Sequence, residues 1–170
     1  RAAMDPTFDV AKLQQLLAVK ERWEANEARK AFVVALSAFK ADPPEILKNK
    51  RVEFGTTKFD HATLDKVSDA IGKALSGHGL SHRWDVEQSE ALIKVTCVLT
   101  VILGHSERRA MQAAADTSGS KNSIQATGSA VSYLQRYTLF TAAGIAPKNV
   151  DDDGRGGVEV HQMDPRVKAE

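Results

Sequence analysis

Residues 91–103 read ALIKVTCVLTVIL, and their alternation decides what kind of fold the chain can adopt. Ile93, Val95, Cys97, Leu99 and Val101 fall on one side of an extended strand. Lys94, Thr96, Val98 and Thr100 fall on the other. A helix would scatter those five apolar residues around its circumference, so the stretch reads as a strand with one apolar and one half-polar face. Weaker strand patterns flank it at 80–86 and 108–114, and Gly104-His105-Ser106 supplies a turn before the last of the three. Three neighbouring strands joined by short links make an antiparallel meander.

Downstream, residues 116–121 (DTSGSK) form a polar loop. Asn122 followed by Gln125 has the spacing of a capping box, which predicts a helix over 122–143 that stops at Gly144, with Pro147 beyond. Upstream, Leu64, Val67, Ile71, Ala74 and Leu75 make one stripe of a helix over 63–76, ended by Gly77 or Gly79. Residues 48–61 alternate around Gly55-Thr56-Thr57 as a short hairpin. Residues 8–40 lack Gly and Pro and carry Leu13, Leu16, Leu17, Trp23, Ala28, Phe32, Ala35, Leu36 and Phe39 at three- and four-residue steps. That is a long amphipathic helix, expected to pack on the core or on a neighbouring subunit, and Asp42-Pro43-Pro44 ends it. The expected class is α+β: a β-β-β-α core preceded by a β-hairpin and a long N-terminal helix.

A chain of 170 residues, 42% hydrophobic and 26% charged, fits one domain with a modest core. One cysteine leaves no internal disulfide framework, and no run reaches the ~18 apolar residues of a membrane span. With no signal-peptide pattern, the expectation is a cytoplasmic protein with no membrane partner. The net charge of +1 conceals a gradient: zero over 1–47, +4 over 48–150 and −3 over 151–170. A mildly basic body with an acidic tail suits a polyanion. Residues 1–8 read as a cloning remnant, 9–150 as the working domain and 151–170 as an acidic, flexible tail.

The chemistry concentrates on the predicted helix 122–143. Thr127, Val131, Leu134, Thr138 and Ala142 share a face expected to be core. Gln125, Ser129, Ser132 and Arg136 share another, with Tyr133 and Tyr137 beside it. Small side chains admit a ligand backbone, hydroxyls and amides donate to phosphate oxygens, and a guanidinium adds a bidentate charged contact. Aromatic rings offer stacking surface to unpaired bases. A small-residue face serves close helix packing equally well, and a lone arginine is most often a surface ion-pair partner.

Residues 121–154 also resemble the signature of the ERF (Essential Recombination Function) family of phage single-strand annealing proteins. The shared elements are Gln125, Gly128-Ser129-Ala130, Tyr133-x-x-Arg136-Tyr137-x-Leu139, Gly144-Ile145 and the cluster Asp151, Asp152, Asp153. HATLDKV (61–67), HGL (78–80) and the run from Thr100 to Glu107 match in order, so the resemblance covers about 9–154. It implies ATP-independent annealing of complementary single strands, no cofactor, and assembly into a ring or helical homo-oligomer. A distant relation to eukaryotic ring-forming mediators implies a basic groove beside the helix, with Arg136 on phosphate and the tyrosines shaping the groove. Gln135 stands where many members carry a second arginine, so no phosphate role passes to that position. Further groove candidates are Lys48, Lys50, Arg51 and Lys58 in the hairpin, Lys94, Arg108 or Arg109 on the strands, and Lys121. Arg108 and Arg109 point to opposite strand faces, so one of the two is expected to serve DNA. The acidic tail is a candidate contact for the host's single-strand binding protein.

Two other classes compete. Asp151, Asp152 and Asp153 could serve a metal-dependent nuclease or resolvase, although three consecutive carboxylates rarely converge on one ion. A helical oligomerisation module without nucleic-acid function is the third reading. His78 and His82 are interrupted by Gly79 and make a poor zinc pair, and Cys97 belongs to the apolar face. No phosphate-binding G-x-x-x-x-G-K-[ST] loop is present, in keeping with ATP independence.

Overall fold

The structure is a computed structural model that describes residues 9–46, 50–54, 57–89, 92–117 and 119–146, with the backbone alone for 50–54 and 57–61. Its elements run α1 (Val10–Ala41), β1 (Lys50–Phe54), β2 (Thr57–His61), α2 (Leu64–Gly77), β3 (Leu80–Gln88), β4 (Ile93–Val101), β5 (Ser106–Ala113) and α3 (Ser123–Ala143). This is the expected α+β order. The strands form two antiparallel sheets, β1-β2 and β3-β4-β5.

β4 is the central strand because its residues tolerate burial on both sides. Ile93, Val95, Cys97, Leu99 and Val101 are buried as the alternation predicts. The half-polar face is drier than expected, since Val98 and Thr96 are buried as well. Register explains this: Val98 lies between Arg83 and Arg108, and Thr96 between Asp85 and Ala110, so neighbouring side chains lie alongside both. Gly104, at φ +94°, makes the turn into β5.

The core has two parts. The larger one gathers Phe32 and Phe39 of α1, Val67, Ile71 and Leu75 of α2, Cys97, Leu99 and Val101 of β4, and Leu139, Phe140 and Ala143 of α3. The smaller one joins Ile93 and Val95 to Ala130 and Leu134 of α3. Trp84 of β3 packs against both, and each fully buried aliphatic or aromatic side chain contributes about 1.5–3 kcal/mol.

Two expectations about helix faces need correction. On α3 the buried row is Ala126, Ala130, Leu134 and Thr138, continued by Leu139, Phe140 and Ala143. Thr127, Val131 and Ala142 of the expected row are only half-buried. The sheet contact follows the small alanines, which let the helix backbone approach β4. On α1 the apolar positions divide, so packing on the core accounts for only part of them: Ala28, Phe32 and Phe39 are buried, whereas Leu13, Leu16, Leu17 and Trp23 are exposed. About 48 Å of helix is longer than the core beneath it.

Candidate nucleic-acid interface

α3 is closed at both ends by its own sequence. The Asn122 side chain accepts from the Gln125 backbone N–H at 2.9 Å, and the Asn122 N–H donates to Gln125 Oε1 at 3.1 Å, completing the capping box. Gly144 ends the helix at φ +66°, the left-handed conformation that favours glycine at a helix end. Between these ends the buried row holds one side of α3 on the sheet, which turns Ser132, Tyr133 and Arg136 away from it.

Arg136 is the centre of a three-residue cluster. Its Nη1 donates to the carbonyl oxygen of Ala62, between β2 and α2, at 3.0 Å. Its Cζ stands 5.3 Å from the Tyr133 ring centre and 5.5 Å from that of Tyr137. The two rings lie 4.4 Å apart, tilted by 34°. Tyr133 is 54% exposed, while Arg136 and Tyr137 are half-buried. Burial, followed by the hydrogen bond and charge of Tyr133, raises the Tyr137 hydroxyl above its usual range against the opposing pull of Arg136. The ring faces attract the cation and restrict its swing. A guanidinium has five N–H donors, and Ala62 occupies one. Among the described residues no carboxylate pairs with Arg136, and the partners it has there, a carbonyl and two phenol rings, are neutral.

The other candidates do not gather around it. At the start of α3, Ser129 donates to Asp116 Oδ2 at 2.7 Å and Lys121 pairs with the same carboxylate. That end of the face is therefore built on an anion, and Gln125 is engaged in the cap. Ser132 remains exposed between this end and the tyrosines. Because α3 covers the sheet face of Ile93 and Val95, Lys94 and Arg108 stand on the opposite face, with the sheet between them and Arg136. Lys94 pairs there with Glu87 at 3.0 Å. Arg109, in register with Cys97, is the β5 cation on the α3 side and pairs with Glu107 at 3.4 Å. Lys50, Arg51 and Lys58 lie on the β1-β2 ladder, where the register sets Arg51 against Asp60 and Lys58 against Glu53. Their side chains lie outside the described residues, as do Lys48 and the 151–153 aspartates.

Two supports of the cluster were not singled out from the sequence. The Ala62 carbonyl has no side-chain signature. Trp84 donates its Nε1–H to the carbonyl of Gln135 at 3.1 Å, bracing α3 one residue before Arg136. His82 meets Trp84 edge-on at 4.8 Å and approaches Ser68 Oγ at 3.5 Å. The alternation Leu80, His82, Trp84, Val86 was the available signal for both, since it sets them on the core-facing side of β3.

Among the described residues no helix is long and apolar enough to cross a membrane, and no group of three His, Cys, Asp or Glu side chains could hold a metal ion. A family model described as ERF superfamily matches residues 32–169, more than half of the chain. No curated protein and no solved structure matches it.

Proposed function

Because the chain belongs to the ERF superfamily, we propose that it binds single-stranded DNA and anneals complementary strands without ATP, as a ring or helical homo-oligomer in the cytoplasm of a bacterial host. Membership supports the coarser statement directly: a role in phage recombination and strand annealing, with DNA as the partner. The observation that carries the finer reading is the Tyr133–Arg136–Tyr137 cluster, with its cation free of any described carboxylate and its outer ring exposed.

Tyr133 offers a face on which a base stacks, whatever its identity. Arg136, steadied by the ring pair and by Ala62, turns remaining N–H donors to a phosphate oxygen. Neither group needs to make or break a covalent bond. Pairing releases about 1.4 kcal/mol per base step, so annealing runs downhill once phosphate repulsion and intrastrand folding are overcome. Repeating a modest contact along an oligomer holds a strand extended with its base edges available.

The alternative is a metal-dependent nuclease or resolvase using Asp151, Asp152 and Asp153. One assay separates the two. Complementary labelled oligonucleotides are mixed with the protein, with and without magnesium and ATP, and the products are sized. Full-length duplex formed faster than in buffer, without either addition, supports annealing. Shortened products in the magnesium arm would replace this reading with the nuclease.

A further inference from the structure

We infer that the outward face of α1 is the surface through which two copies of this chain meet, each covering the other's helix. The inference deepens the assembly part of the proposed function and does not depend on DNA binding. Leu16, Val19, Trp23, Asn26, Lys30 and Val33 recur at alternating three- and four-residue steps, the heptad spacing of a helix that pairs with another helix. At 100° per residue this stripe lies on the side of α1 opposite Phe32 and Phe39, which fill the core. It cannot turn inward.

Its apolar members are exposed: Leu16 67%, Val19 61%, Trp23 63% and Val33 55%. With Val34 they present roughly 600 Å² of surface, and the flanking Leu13 and Lys20 extend it toward the ~800 Å² per partner of a standard interface. From Val10 to Asn26 the helix has no buried residue of its own, so packing within the protomer does little to hold that arm. The spacing chooses the partner. A flat protein surface or a peptide strand does not need a heptad, whereas a second α1 supplies the same one. Asn26 and Lys30 interrupt the stripe at two of its six positions, the kind of polar layer that fixes register and subunit number at some loss of stability. The family match begins at residue 32, so the arm precedes the matched region while Val33 and Val34 lie inside it.

The test is the mass of the full chain in solution without DNA, by size-exclusion chromatography with light scattering. Wild type is compared with the double variant Leu16→Glu/Trp23→Glu, and with Gln14→Glu as a charge control on the inward side of the arm. All three positions are exposed in the protomer, so the fold should survive, and circular dichroism checks it. The expected result is a wild-type mass at a multiple of 18.5 kDa, at least a twofold fall in the double variant and no fall in the control. A monomeric wild type, an unchanged mass in the double variant, or an equal fall in the control would each overturn the inference. None of these results bears on whether Tyr133 and Arg136 bind DNA.

Discussion

Removing the Arg136 guanidinium takes away two things, a cation and the donor that satisfies Ala62. Arg136→Ala should therefore show in two measurements. An unpartnered carbonyl and a lost ring contact together cost about 1–2 kcal/mol, read as a lower urea midpoint. Single-strand affinity should fall several-fold as well, by fluorescence anisotropy at low salt. Arg136→Lys separates the two roles, because lysine keeps the charge without the fixed planar fork. Its affinity should lie between wild type and alanine. Alanine and lysine variants that both bind as tightly as wild type would leave Arg136 a purely structural residue. Arg136 and both tyrosines were legible in the sequence because Tyr133 stands three residues before Arg136 and four before Tyr137, spacings that adjoin on any helix. The Ala62 carbonyl was not, since it lies 74 positions away and a backbone oxygen has no residue type to betray it.

Elements are where the sequence was most informative and also where it misled. The β4 alternation and the Asn122/Gln125 cap gave the meander and the start of α3, because period and capping chemistry are local. Which face of a helix is buried is not local. α3 carries small or apolar residues nearly all round, so Ala126 and Ala130 could not be preferred over Thr127 and Val131 until the sheet was in place. The same holds for β5, where alternation separates Arg108 from Arg109 but cannot say which side α3 will cover. Trp84 joins the two halves of the core and ties β3 to α3, which makes it a direct probe of their docking. Trp84→Phe keeps an aromatic ring but loses the hydrogen bond to Gln135. It should lower stability by about 1 kcal/mol, measured by urea denaturation, without changing helix content.

For the molecule as a whole, pH acts through His82 and salt through the DNA backbone. Burial holds His82 below its ordinary value of 6.5, so it is neutral in the folded chain near neutrality. Unfolded, it takes up a proton as the pH falls through 6.5, and the unfolded state then binds more protons than the folded one. Stability from this source is complete above 6.5, is lost as the pH falls below it, and levels off once folded His82 also protonates. Urea midpoints at pH 7.5 and 5.5 should show the decline, and His82→Gln should flatten it. An equal decline in that variant would assign the effect to other groups. Cys97 adds no complication, because burial pushes its thiol up to about 12 and keeps it protonated across this range. Salt acts through phosphate, so affinity for a single strand should fall steeply as ionic strength rises.

The most informative position is Tyr133, whose ring is more than half exposed. Fluorescence anisotropy of a labelled single strand, titrated with Tyr133→Ala and with wild type at the same low salt, isolates its role. Loss of one stacked base is worth about 1–3 kcal/mol, a fall in affinity of roughly 5- to 150-fold. Equal affinity for the two proteins would move the DNA path off this face of α3.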